Sequence, residues 1–157
     1  MLGCRGKPKG YPIATALLAL LLMAAGIAPA AAQDQLLSPA EAFQPAAEAM
    51  GPDRVRITWA VADGYYLFRD MLALKVVEPA GARVADTKTP GGMAIHDPSM
   101  GKRRRILRGE PWLIADLAGL DGAEAVTVTV RYQGSADALD GGICFPVQNT
   151  EFEVALP

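Results

Sequence analysis

Few side chains in this 157-residue sequence can carry covalent chemistry: two cysteines, Cys4 and Cys144, and one histidine, His96. Cys144 follows Gly141-Gly142-Ile143 and precedes Phe145-Pro146. A thiol in a Gly-flanked stretch framed by aromatic and Pro residues can serve as a nucleophile or disulfide partner once it is a thiolate. The other reading is a buried small hydrophobe, the common state of a free cysteine. Both stay open at this point. His96 lies in His96-Asp97-Pro98-Ser99-Met100-Gly101, which looks like a loop, and reads as solvated. One histidine excludes a His-rich metal site. There is no Cys-x-x-Cys, no G-x-S-x-G and no phosphate-binding Gly loop. The acids fall at strand ends and turns, where solvated surface is the default. No metal and no cofactor are expected.

Lys102-Arg103-Arg104-Arg105, with Arg108 beyond, is the other local anomaly. On a strand these cations alternate between faces and cannot all project together. They read either as a solvated edge that discourages strand-to-strand pairing or as a docking patch for an acidic partner or anionic head groups.

Residues 1–32 have the order of an export signal. Arg5, Lys7 and Lys9 form a positive start, Ile13 to Ile27 is almost wholly apolar, and Ala30-Ala31-Ala32 offers a small-residue cleavage site before Gln33. The apolar run is shorter than the roughly 20 residues a spanning helix needs. Cleavage is expected to remove Cys4 and leave Cys144 as the one thiol of a protein in the periplasm, an oxidising compartment. No transmembrane segment is expected after the signal. Residues 33–157 then hold 12 Lys and Arg against 17 Asp and Glu. With no basic excess, nucleic acid is not an expected partner.

The elements that must position Cys144 are mostly strands. Ser38-Pro39-Ala40-Glu41 is a helix start with a cap, a first-turn Pro and an acid three residues on. Pro45 limits that helix to one or two turns, and the Ala-rich stretch up to Gly51-Pro52-Asp53 reads as connecting structure. Val55, Ile57, Trp59 and Val61 then alternate with polar residues, the mark of a half-buried strand. Val126, Val128, Val130 and Tyr132 alternate in the same way, as do Phe152, Val154 and Leu156. Tyr65–Phe68, Leu72–Val76, Ile106-Leu107 and Trp112–Ile114 are further strand candidates. Short strands separated by turns predict an all-β, immunoglobulin-like antiparallel β-sandwich with a short N-terminal helical turn. Trp59 and Val128 are expected in its core.

Three ordered motifs resemble one family. Val55-Arg56-Ile57-Thr58-Trp59 leading into Asp63-Gly64-Tyr65-Tyr66-Leu67-Phe68-Arg69 is similar to the strand pair of the periplasmic N-terminal domain of DsbD, a thiol:disulfide interchange reductase. His96-Asp97 through Gly101-Lys102 resembles that domain's cap loop. Tyr132-Gln133-Gly134, followed by Cys144-Phe145-Pro146, resembles its active-site hairpin. The likeness spans roughly residues 36–157. It implies an immunoglobulin-like sandwich that exchanges electrons with periplasmic thioredoxin-like and cytochrome c maturation proteins and with a membrane thiol reductase.

The departures from the family pattern bear on chemistry. Where the resemblance places the first cysteine, this chain has Ser135, which cannot form a disulfide. Ser135 and Cys144 are nine positions apart, a longer span than between the family's two cysteines, yet they are expected to stay neighbours across the hairpin. By the same resemblance Tyr66 and Phe68 line the site, Asp97 matches the cap-loop acid, Met100 stands where a cap aromatic would be, and Phe145 follows the thiol. Two functions follow. One is a stand-alone module that docks exchange partners without an internal dithiol. The other is a one-cysteine exchange protein that forms mixed disulfides through Cys144.

Overall fold

The computed structural model describes residues 36–97, 100–137 and 142–157. Residues 1–32, read above as an export signal, with Cys4, and Pro98, Ser99 and Gly141 lie outside them.

Ser38 and Glu41 start a short helical turn, α1 (Pro39–Ala42). Glu41 Oε2 accepts the Ser38 backbone N–H at 3.0 Å and its hydroxyl at 2.6 Å. The chain then enters β1 (Phe43–Gly51). This corrects the expectation of connecting structure: the Ala-rich stretch is a strand at the sheet edge, with Phe43 buried and Ala47 and Ala49 packed on the core. Pro45 fits there because an edge strand can spare one backbone donor.

The alternating segments form strands in the expected places. They are β2 (Arg54–Val61), β3 (Tyr65–Phe68), β4 (Ala73–Glu78), β8 (Trp112–Ala118), β9 (Ala125–Tyr132) and β12 (Gln148–Ala155). A single 3-10 turn, η1 (Arg69–Met71), separates β3 from β4. Two further strands, β5 (Arg83–Lys88) and β6 (Met93–Asp97), occupy stretches that sequence reading left between loop signals. Both lie at sheet edges and are largely exposed, so neither carries a clean apolar period.

The strands pair antiparallel in the orders β1-β2-β8-β5 and β12-β9-β4. Val55, Ile57 and Trp59 of β2 and Leu113, Ala115 and Leu117 of β8 meet Val126, Val128 and Val130 of β9 in one core. Trp59 and Val128 are fully buried, as expected. A third group, β11-β10-β3-β7-β6, adds β7 (Lys102–Leu107), β10 (Gly134–Ala136) and β11 (Ile143–Cys144). Here the basic run departs from the solvated-edge expectation. β7 is interior, paired with β6 along its length and with β3 at Ile106 and Leu107. Arg104 points inward beside Ile106, two residues on, and is buried, while Lys102, Arg103 and Arg105 are exposed. His96 belongs to β6 instead of a loop and is exposed.

Candidate functional site

The site starts from the register of three short strands. In β10, Ser135 pairs with Tyr66 of β3 on one side and with Cys144 of β11 on the other. Directly paired residues project from the same sheet face, so Tyr66, Ser135 and Cys144 form one row. The neighbour relation expected for Ser135 and Cys144 is present. Their burial is opposite: Ser135 is 1% exposed, and Cys144 is a free, exposed thiol. The buried-hydrophobe reading of Cys144 is therefore set aside.

The Ser135 hydroxyl donates to the Ile143 carbonyl at 2.9 Å, which ties β10 to β11 by a side chain as well as by backbone. Gly142 enters β11 with φ of +72°. A Cβ there would lie 3.5 Å from Ser135 Oγ and 3.7 Å from the Tyr66 hydroxyl, so both hydroxyls face this bare backbone. On the other side of the hairpin, Gln133 Nε2 donates to the Phe145 carbonyl at 2.9 Å and the Phe145 N–H to the Gly134 carbonyl at 3.0 Å. Gly134 admits no side chain: a Cβ would collide with the Phe43 ring and stand 2.6 Å from the Tyr66 carbonyl oxygen.

Tyr66 and Phe68 lie two apart on β3 and share a face. Their rings meet edge-to-face with centroids 5.4 Å apart. An arginine covers each ring. The Arg108 guanidinium carbon is 4.9 Å from the Tyr66 centroid. Its two terminal nitrogens donate to Asp137 at 2.7 and 2.9 Å. The Arg104 guanidinium carbon is 3.6 Å from the Phe68 centroid. Arg104 also pairs with Asp70 at 2.8 Å and with Asp97 at 3.3 Å. The Asp137 hydrogen bond holds the Arg108 pKa above its ordinary value. For Arg104, burial pulls downward, but hydrogen bonds and charge from Asp70 and Asp97 outweigh it and the pKa rises. Both guanidinium groups stay charged.

The residues singled out from sequence thus fall in three places. Tyr66, Phe68, Ser135 and Cys144 come together at β3, β10 and β11. Asp97, buried, and Met100, 55% exposed, reach this group through Arg104, whose Nη1 is 3.6 Å from Met100 Sδ. Phe145, grouped with the cap from sequence, instead points into the sandwich. Its ring meets Phe43 edge-on at 5.6 Å and stacks on Tyr65 at 6.1 Å. Sequence reading named Arg104 and Arg108 only within a basic run and Gln133 only within a motif, and assigned none of the three to this site. Arg104 carried a signal, since it has the parity of Ile106 on β7. Among the described residues, no three His, Cys, Asp or Glu side chains converge as a metal site requires. No helix among them is long and apolar enough to cross a membrane.

With this geometry in hand, comparison with known proteins is specific. Residues 33–156 match the family described as thiol:disulfide interchange protein DsbD, N-terminal. The thiol:disulfide interchange protein DsbD of Ralstonia nicotianae is 31% identical over 137 residues, 87% of this chain and 22% of that protein. The DsbD of Escherichia coli K12 is 35% identical over 92 residues, 59% of this chain and 15% of that protein. The chain therefore spans about a fifth or less of the length of these curated relatives. Among solved structures, the Neisseria meningitidis DsbD N-terminal domain in its reduced form superposes with a TM-score of 0.64 and 26% identity, covering 76% of this chain and 90% of that one. The complex between the DsbD and PilB N-terminal domains of the same organism gives a TM-score of 0.61 and 29% identity, with 76% and 88% covered. These neighbours share the immunoglobulin-like sandwich expected from the strand pattern.

Proposed function

The chain belongs to the family of DsbD N-terminal domains, and on that premise we propose that it is a periplasmic module, exported by residues 1–32, whose domain 33–157 docks thiol:disulfide exchange partners at its Cys144 end. The observation that carries this reading is the Tyr66–Ser135–Cys144 row, which sets one exposed thiol at the sheet edge beside a buried hydroxyl. A solved complex of a relative with the PilB N-terminal domain supports a protein partner at such a domain. The partners we propose are thioredoxin-like or disulfide-exchange proteins of the periplasm, a membrane thiol reductase, and proteins of cytochrome c maturation.

The proposed chemistry differs from that of a two-cysteine site. Ser135 occupies the position opposite Cys144, and a hydroxyl neither forms a disulfide nor resolves one. Docking then proceeds without an internal dithiol cycle. The exposure of Cys144 favours a second reading. In it, the Cys144 thiolate attacks a partner's disulfide, one partner sulfur leaves as a thiolate, and a mixed disulfide remains until a partner thiol attacks it. Cys144→Ser separates the two. Under pure docking, the variant binds a thioredoxin-like domain as the wild type does. Under exchange, the reducible adduct disappears and little binding remains. No binding by either protein to any thioredoxin-like or reductase domain tested would overturn both.

A further inference from the structure

Arg104 departs from the rest of the basic run. Its side chain is only 7% exposed. Nη2 donates to Asp70 of η1, Nη1 donates to Asp97 of β6 and lies 3.6 Å from Met100 Sδ, and the guanidinium lies over Phe68 of β3. One side chain thus joins β3, η1 and both limbs of the β6–β7 hairpin. Removing a guanidinium from water is costly, and the cost is met only where charge partners and a flat surface are held in place. Phe68 passes the contact to Tyr66 edge-on, and Tyr66 stands in the row that ends at Cys144.

The hairpin is tied differently at its other end. Arg69 Nε donates to the Pro90 carbonyl at 2.7 Å, and Arg105 Nη1 donates to those of Gly91 and Gly92 at 3.2 and 3.1 Å. These bonds hold the segment entering β6. Arg104 acts at the other end, on Asp97 and beside Met100.

We infer that Arg104 is a positioning residue: it fixes Asp97 of β6 and Met100 against Phe68 and thereby sets the surface beside Cys144 on which an exchange partner docks. This rests on the docking reading above. Lysine keeps the charge but cannot lie flat on the ring while bonding both carboxylates.

The test uses the purified chain and a thioredoxin-like domain in which the second cysteine of its Cys-x-x-Cys is serine and the first is disulfide-bonded to thionitrobenzoate. Cys144 attacks the probe's protein sulfur. The probe disulfide breaks, the Cys144–probe disulfide forms, and coloured thionitrobenzoate leaves as the thiolate. For Arg104→Lys, the half-saturating probe concentration should rise roughly five- to tenfold, while alkylation of Cys144 by iodoacetamide stays within about twofold. Amide exchange should quicken in β6 and the start of β7 and stay unchanged in β2, β8 and β9. Arg103→Lys, on the exposed face, should change neither. If Arg104→Lys fails to fold, Asp70→Asn removes the shorter ion pair and should raise half-saturation in the same direction. Unchanged half-saturation in a folded variant overturns the inference, as does exchange that quickens throughout the fold. No release by the wild type overturns only the exchange reading, and half-saturation is then read from non-covalent binding of the same domain in its reduced form; no binding by the wild type overturns the docking reading, and the inference with it.

Discussion

Ser135 and Cys144 stand opposite each other across β10 and β11, one buried and one exposed. Disulfides need Cα atoms within about 7 Å, and directly paired residues of an antiparallel ladder lie about 4.5–5.5 Å apart. Ser135→Cys should therefore oxidise in air or in a glutathione couple without backbone movement. Intact mass would then fall by two hydrogens, and reduction should restore it. A variant that keeps two free thiols under these conditions would show that Ser135 is not the counterpart of the family's first cysteine.

Gly134 is the second requirement of this hairpin. A methyl there has no room between the Phe43 ring and the Tyr66 carbonyl. Gly134→Ala should cost about 1–3 kcal/mol, the usual price of overpacking, read as a drop in the denaturant midpoint. Gly91→Ala, where a Cβ meets nothing within 4 Å and φ is not positive, serves as the uncrowded comparison.

The core makes its own demand. Val128 is fully buried between β4 and β12 in the register of β9. Val128→Asp places an unpaired charge there and should cost several kcal/mol, enough to unfold a domain of ordinary stability. Thermal melting by circular dichroism reads this directly. A variant that melts like the wild type would put β9 in the wrong register.

Arg54 and Asp116 pair across β2 and β8. The Arg54 hydrogen bond, opposed by a smaller effect of burial, holds the Asp116 pKa below its ordinary value. A folded pKa lower than the unfolded one adds stability that is present above the unfolded value, about 3.9, and is lost as pH falls through the folded value. Wild-type stability should fall over that acid window more steeply than that of Asp116→Asn, whose side chain does not titrate. Parallel acid limbs for the two proteins would show that the pair adds nothing.

What was legible in the sequence follows side-chain period. Trp59 and Val128 sit in runs where β-branched or aromatic residues alternate with polar ones, so both strand and buried face could be read. β1 escaped because past Phe43 its inward positions are Pro45, Ala47 and Ala49, which mark neither a strand nor a core. β5 and β6 escaped as exposed edges. At the site, Cys144 stood out by rarity and Ser135 by resemblance. Arg104 was hidden in a run of cations, where charge suggested solvent and only its parity with Ile106 pointed inward. Phe145 was placed with the cap because it adjoins Cys144, but it lies one residue past β11 and its ring turns onto Phe43 and Tyr65.

Under the proposed function, partners dock on the end of the sandwich built from β3, β10 and β11. The most direct measurement is the amide-exchange footprint of the purified chain with and without a saturating thioredoxin-like domain, under reducing conditions so that no covalent adduct contributes. Exchange should slow in Tyr65–Phe68, Gly134–Ala136 and Ile143–Cys144, with the opposite end of the sandwich around Pro52 and Gly119–Ala123 unchanged. Protection confined to that opposite end, or none anywhere at saturation, would contradict it.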